Sequence, residues 1–410
     1  MLHNLKKILQ INTVINTGST GRIAEDIGIA ILKSGWESYI AYGRYGNSSK
    51  SRAIKIGNRI DNYIQVLYTR LLDKHGYGSK RATRSLIREI KKINPDIIHL
   101  HNVHGYYLNL NIFFRYLHSV SIPVVWTLHD CWAYTGHCTH YMYVDCQKWM
   151  DHCNCCPQIG QYPKSFIDNS YTNFKRKKQL FNDVKNLTVV PVSNWLEGQL
   201  KHSFLKGVPL KKIYNGINTA VYKTESSLSN SRRYGLKDKF VILGVASKWE
   251  DRKGLIDFKL LSENLLDDEL IVLIGLTEMQ IKSLPPKILG IKRTEDIKQL
   301  IEFYSTADVL FSPSKEETFG LVVIEAMACG TPAIVYNSTA SPELVDEQTG
   351  FVVDIGNLLE IRLALNKVKE KGKEHYADFC RERVVRYFER NTMCNAYLDL
   401  YKNILHLHDT

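Results

Sequence analysis

Apolar and polar positions alternate along this chain in two registers: short continuous apolar runs, and stretches whose apolar residues fall three and four apart. Residues 7–12 (KILQIN) form the first run, after which Ile23, Ile27, Ala30 and Ile31 recur at helical spacing until Ser34-Gly35. Apolar runs at 37–42, 96–100, 123–128 and 187–192 predict further strands. Helices are predicted over 60–73, over 80–93 (stopped by Pro95) and from Asn194 onward. The pattern then restarts, with strands predicted at 240–245, 270–275, 309–311 and 333–336 and helices at 255–266, 295–305 and 320–329. A strand-free helical stretch runs from 374 to 407. Such alternation specifies mostly parallel sheets with helices on both faces. The restart, at the turn-rich Tyr214-Asn215-Gly216-Ile217-Asn218, divides the chain into two doubly wound α/β units, with a first domain at 1–215 and a second at 216–385. Ligands of open α/β sheets sit beyond the C-terminal strand ends, so the expected site is a cleft lined by both units.

Composition narrows the class. At 410 residues, 44% hydrophobic and 23% charged, the chain has globular usage, which excludes a disordered, collagenous or coiled-coil protein. No run of ~18 apolar residues occurs, so no membrane-spanning helix is expected. The first residues lack an apolar segment before a small-residue cleavage site, so the expected location is cytoplasmic. Charge is unevenly placed. Residues 1–215 carry 29 basic and 13 acidic side chains, net +16, and residues 216–410 carry 25 and 29, net −4, which together give the +12 of the whole chain. A basic half suits a phosphate-rich partner such as an anionic membrane surface, or is solubilising charge alone. No recognised nucleic-acid module accompanies it, and no nucleic-acid partner is expected.

Three segments carry candidate chemistry. Gly18-Ser19-Thr20-Gly21-Arg22 follows the first strand and opens the first helix, where glycines permit close backbone approach and free N–H groups favour an anion; a tight turn alone would look the same. Arg252-Lys253-Gly254 follows the first strand of the second unit, and adjacent cations there would neutralise a departing diphosphate, or form an ordinary solvated pair. The third segment, Pro313 to Pro332, places Glu317 before a helix and Glu325 eight residues later inside it. Carboxylates accept hydrogen bonds from sugar hydroxyls, so one can grip a hexose and the other a ribose, with the N–H groups of Gly320 and Leu321 facing the phosphates between. Helix-dipole complementarity would account for Glu317, but not for Glu325 in an apolar helix.

This third segment resembles the Glu-x7-Glu signature of retaining glycosyltransferases with the GT-B fold, in particular glycosyltransferase family four of the bacterial surface-polysaccharide type. The resemblance extends through the Gly18–Gly21 loop, Asp96-Ile97-Ile98-His99-Leu100-His101-Asn102, Thr127-Leu128-His129-Asp130, Val192-Ser193-Asn194-Trp195, Asn215-Gly216-Ile217-Asn218, Arg252-Lys253-Gly254 and Ala307-Asp308-Val309. It implies that a UDP- or GDP-sugar donor is held by Arg252 and Lys253 on the diphosphate, Glu317 on the sugar and Glu325 on the ribose. Phe319, Gly320 and Leu321 would border the phosphates, and Arg293 would lie where the base sits. It implies that His129 contacts the transferred sugar and that Gly18 and Gly21 shape the phosphate and acceptor region, although the adjacent glycine pair common in the family is missing. It further implies a glycan or polyprenyl-linked acceptor, same-face transfer with retention and no cofactor in the chemistry. The final helix, 386–410, would cross back onto the first domain. A nucleotide-sugar epimerase or hydrolase of the same fold, a pyridoxal-type phosphorylase and a non-catalytic sugar-nucleotide binder are the rivals. The phosphorylase lacks an identifiable cofactor lysine.

Two features depart from the common family pattern or lie outside it. Six of the nine cysteines fall between Cys131 and Cys156, in an insertion at 131–157. Cys153-x2-Cys156 has zinc-hairpin spacing, and Cys138 and Cys146 would complete a structural site of four thiolates; buried reduced thiols packing an aromatic lid are the alternative. Basic residues also gather at Arg81, Arg84, Arg88 and Lys92, on one face of a predicted helix, and at Lys175-Arg176-Lys177-Lys178. The first face is expected either to dock peripherally on anionic lipid or to be plain solvated surface.

Overall fold

A computed structural model describes residues 5–225 and 229–409. The chain divides into two compact units, Met1–Tyr214 with Met393–Thr410, and Asn215–Thr392. Each is built around a six-stranded parallel sheet. Unit 1 contains β1 (Lys7–Asn12), β2 (Glu37–Tyr42), β3 (Arg52–Lys55), β4 (Ile97–Leu100), β5 (Val124–Leu128) and β6 (Leu187–Pro191), in spatial order β3-β2-β1-β4-β5-β6. Unit 2 contains β7 (Phe240–Val245), β8 (Glu269–Ile274), β9 (Ile288–Ile291), β10 (Val309–Ser312), β11 (Ala333–Tyr336) and β12 (Gly350–Val353), in order β12-β11-β10-β7-β8-β9. The two orders are the same doubly wound topology. In each sheet the direction of winding reverses between two central strands, β1 and β4 in one and β7 and β10 in the other, and loops leaving their C-terminal ends diverge to leave room for a ligand.

The central strands are buried on both faces, as their continuous apolar runs require. The helix Gly18–Lys33 lays Ile23, Ala24, Ile27 and Ile31 against β1 and its neighbours. The last helix, Arg390–Asp409, adds Met393, Tyr397, Tyr401 and Leu405 to the same core. Two phenols pin it in place. Tyr401 bonds His99 Nδ1 at 2.6 Å and Tyr397 bonds Thr127 Oγ1 at 2.9 Å, and His99 Nε2 closes the network on Thr127 at 2.8 Å.

Several boundaries differ from the sequence reading, each for a local reason. The helix from Leu255 ends at Ser262, not 266, because the Leu266 N–H is taken by the Glu269 carboxylate at 2.9 Å. The predicted stretch 374–407 is two helices, Glu374–Tyr387 and Arg390–Asp409. Gly18 and Gly21 lie within the first turn of a helix and not in the loop before it. Gly18 has φ +60°, a left-handed conformation that glycine adopts without a Cβ penalty.

Candidate functional site

The switch point of unit 2 gathers most of the charged candidates. The loop after β7 carries Arg252 and Lys253, and the loop after β10 carries Glu317. Gly254 lets these loops touch. Its φ is +76°, and a Cβ there would lie 2.4 Å from the Pro313 carbonyl oxygen. The Lys315 N–H donates to the Arg252 carbonyl at 2.8 Å, tying the second loop to the first. Lys253 Nζ donates to the Glu317 carboxylate in a close charge-assisted contact, with both side chains about four-fifths buried. Arg252 is steadied by Glu250 at 3.2 Å and faces the buried Glu316 at 3.9 Å. The Glu317 backbone is fixed in turn, its N–H donating to Thr339 Oγ1 at 2.8 Å. The result is two cations and a carboxylate set on converging loops and held by a surrounding shell of acidic and hydroxyl groups.

The other candidates of unit 2 are placed differently. Gly320, at φ +108°, precedes the helix Leu321–Ala328, whose first bond is Val323 N–H to the Gly320 carbonyl at 3.1 Å, so the N–H groups of Leu321 and Val322 lie ahead of the intrahelical ladder. Phe319 is buried, its ring 5.8 Å from that of Phe388, so it supports the loop and offers no surface to a ligand. Glu325 lies on the buried face of the helix, where its two oxygens accept the hydroxyls of Tyr222 and Tyr304, both at 2.9 Å. A carboxylate retains further acceptor capacity beyond two such bonds. Arg293 is exposed just after β9, the edge strand two places from β7.

In unit 1, His129 closes β5 and is half-buried. Its Nε2 meets His101 Nδ1 at 3.1 Å with the rings stacked, and His101 Nε2 reaches Gln10 Oε1 at 3.0 Å. Burial lowers the His129 pKa to about 4, so the ring is neutral at ordinary pH and acts as a hydrogen-bonding group. Asp130 pairs with His104 Nε2 at 2.7 Å and accepts the Trp132 N–H at 2.9 Å. Burial pushes this carboxyl up, but His104 and the N–H outweigh it and hold the pKa near 2.

The cysteine-rich segment forms short 3-10 turns around buried Trp132, Tyr134, Tyr141 and Trp149. Cys138, Cys146, Cys153 and Cys156 all line one small pocket. The Cys138 and Cys156 side chains are hydrogen-bonded to each other. Cys153 Sγ accepts the Gly136 N–H at 3.2 Å, and Cys156 accepts that of Gln158. Among the described residues, no group of three or more His, Cys, Asp or Glu side chains is arranged to hold a metal ion. Beside the pocket stands Lys177, fully buried, donating to the carbonyls of Trp132 and Thr135 at 2.7 and 3.0 Å, with its pKa lowered by burial to about 7. The sequence placed this lysine in a basic run; its burial corrects that reading for one of the four cations. Glu250, Glu316 and Thr339 also escaped the sequence reading, although the Glu316-Glu317 doublet was a visible signal.

Known proteins give this geometry a family. The family model for Glycosyltransferase Family 4 matches residues 20–221, and that for Glycosyl transferases group 1 matches residues 228–382. The chain belongs to glycosyltransferase family 4. It is 24% identical over 415 residues to the putative colanic acid biosynthesis glycosyl transferase WcaC of Escherichia coli K12, covering 97% of this chain and 100% of that one. It is 25% identical over 206 residues to the capsular polysaccharide biosynthesis glycosyltransferase CapM of Staphylococcus aureus, covering 47% and 53% of the two chains. Among solved structures, the sucrose-phosphate synthase of Thermosynechococcus elongatus superposes with a TM-score of 0.73 at 17% identity, over 98% of this chain and 100% of the other. Anabaena HepE in complex with UDP and glucose superposes with a TM-score of 0.68 at 15% identity, over 97% and 99%. The glycosyltransferase therefore has the GT-B fold, and among its described residues no helix is long and apolar enough to cross a membrane.

Proposed function

We propose that this glycosyltransferase moves a hexose, with retention of anomeric configuration, from a UDP- or GDP-sugar to a glycan or polyprenyl-linked glycan in surface-polysaccharide synthesis. The observation that carries the proposal is the Lys253–Glu317 contact at the switch point of unit 2, with Arg252 fixed beside it. In this reading Lys253 and Arg252 meet the diphosphate and Glu317 accepts hydrogen bonds from the sugar hydroxyls. Placing the leaving-group cation in contact with the sugar-holding carboxylate matches a donor whose diphosphate adjoins its sugar. As the bond from C1 to the diphosphate oxygen breaks, negative charge grows on that oxygen, and two preorganised cations stabilise it more than they stabilise the intact donor. The acceptor hydroxyl adds to C1 from the same face, and its proton passes to the departing phosphate. The fixed cations supply the charge for which other transferases use a divalent ion. The WcaC and CapM names support a polysaccharide acceptor, and the HepE complex supports a uridine donor.

Glu325 on the ribose, Arg293 near the base, His129 on the transferred sugar and Gly18 and Gly21 at the phosphate and acceptor region rest on family resemblance. A thermal-shift screen of nucleotide sugars tests the reading, since a ligand bound only by the folded protein raises its melting temperature by mass action. The Arg252→Ala, Lys253→Ala double variant is expected to lose that shift and to lower kcat/KM by roughly 10²–10³-fold. A full shift in the double variant would remove the diphosphate assignment.

A structural zinc on Cys138, Cys146, Cys153 and Cys156 is a separate part of the proposal. It is supported by the common pocket and by the N–H groups already donated to two of the sulfurs. It requires the four thiols to draw closer together, since among the described residues no metal-holding group is formed. Elemental analysis of the purified protein is expected to find about one zinc per chain, lost with a fall in melting temperature on chelation; protein that is metal-free and fully stable would end this part.

A further inference from the structure

The helix Arg59–Leu72 is mounted the wrong way round. A surface helix normally turns its apolar stripe to the core and its polar face to water. Here Ile60, Tyr63, Ile64, Leu67, Tyr68 and Leu71, spaced three and four apart, all face solvent, with Ile60 68%, Tyr63 74% and Leu67 55% exposed. The inward positions are polar: Gln65 and Thr69 are buried. The bonds of Gln65 fix the orientation. Gln65 Nε2 donates to the Leu108 carbonyl at 3.2 Å and Ser79 Oγ donates to Gln65 Oε1 at 2.6 Å, while Thr69 Oγ1 is satisfied within the helix by the Gln65 main-chain carbonyl at 2.9 Å. The reversal is thus built in, since rolling the helix over would break a satisfied buried network.

The apolar surface continues past the end of the helix. The Phe166 N–H donates to the Arg70 carbonyl at 2.8 Å, which seats Phe166, 70% exposed, and the exposed Ile167 beside the last turn. An exposed contiguous patch of this kind marks an interaction site. Its charge setting selects the partner. The one carboxylate of the helix, Asp61, is engaged with Asn58 in a capping box. The next helix, Lys80–Ile93, starts against Gln65 through Ser79 and turns Lys80, Arg81, Arg84 and Arg88 to solvent. Apolar and tyrosyl side chains beside exposed cations are the combination that enters the headgroup layer of an anionic bilayer.

We infer that the outward apolar stripe of Arg59–Leu72, extended by Phe166 and Ile167, inserts into the surface of an anionic membrane, with the cations of Lys80–Ile93 on lipid headgroups. The lipid contact that the sequence offered as one of two readings of the basic helix thereby gains an inserting element that the sequence reading did not identify. It rests on the proposed function only in that a polyprenyl-linked acceptor would lie in the same bilayer.

The test is sedimentation of the full chain with vesicles of phosphatidylcholine, or of an equal mixture of phosphatidylcholine and phosphatidylglycerol, at low and high salt. Wild type is expected to pellet with the anionic vesicles and to keep part of that binding at high salt, because insertion is not screened. The variant Ile64→Ser, Leu67→Ser is expected to lose at least tenfold in partitioning, and Arg84→Gln, Arg88→Gln to lose the preference for anionic vesicles. Both pairs are exposed, and an unchanged melting curve confirms that each variant is folded. Wild type left in the supernatant at low salt, or a serine variant that partitions like wild type, overturns the inference. So does a lipid-free dimer that the serine pair converts to monomer, since the stripe would then be covered by a second copy. Nucleotide-sugar thermal shifts on the same proteins keep the two readings apart: they stay intact if only membrane docking fails.

Discussion

Glu317→Ala is expected to lower kcat/KM by about 10³-fold while leaving the fold in place. Two losses combine. The carboxylate that would accept hydrogen bonds from the donor sugar disappears, and Lys253 loses the partner that aims it. A misdirected cation stabilises the leaving group less, so kcat falls as well as affinity. Glu317→Gln keeps the shape and part of the hydrogen bonding, and is expected to fall between alanine and wild type. The side chain is about four-fifths buried and its removal leaves Lys253 without this partner, so some fall in melting temperature is expected, and a retained cooperative melt shows that the variant is folded. Binding of the free nucleoside diphosphate, which lacks the sugar, should survive in Glu317→Ala, and this separates a sugar-holding role from general damage. Initial-rate kinetics with the donor found by thermal shift decide the matter, and wild-type turnover in the alanine variant would remove Glu317 from the mechanism.

Acid is expected to unfold unit 1 well above the pH at which most carboxylates titrate. His75, His99 and His101 are buried in it, and burial pushes each pKa down, to about 3 for His99. In the unfolded chain the same rings titrate near ~6.5. Below that value the unfolded state binds protons that the folded state refuses, so the stabilisation is complete above ~6.5 and is lost as pH falls toward the folded values. His99 alone removes about 1.4 kcal/mol per pH unit, or roughly 3 kcal/mol by pH ~4.5. His75 and His101 act in the same direction, against a typical domain stability of about 5–15 kcal/mol. Melting temperatures followed by near-ultraviolet circular dichroism should therefore fall steeply between pH ~6.5 and ~4.5. A flat profile over that range would mean that the rings carry protons inside the fold, contrary to their packing.

How much of this was legible in the sequence differs by environment. Central strands such as 7–12 and 240–245 were readable because burial on both faces demands a continuous apolar run. The strands that escaped notice, Arg52–Lys55, Ile288–Ile291 and Gly350–Val353, are all at sheet edges, where one side is open and the pattern weakens. Arg252, Lys253 and Glu317 were findable because a switch-point loop concentrates charge in a short segment between two apolar strands. Their supports were harder to see, since Thr339 meets Glu317 only through the path of the fold. The helix Arg59–Leu72 shows the limit most clearly. Its periodicity was plain, but periodicity gives a stripe and not the direction the stripe faces. That direction is set by Gln65 finding the Leu108 carbonyl and Ser79, contacts 43 and 14 residues away in the chain.

The order in which the ribosome delivers the chain adds a consequence. Unit 2 is continuous in sequence, so all of it has been synthesised by residue 392. Unit 1 begins first yet lacks Tyr397 and Tyr401 until the closing stretch emerges, and those phenols cap His99 and Thr127 in its interior. Through most of translation the amino-terminal half is therefore a nascent domain with an open flank, the kind of exposed apolar surface that chaperones shield.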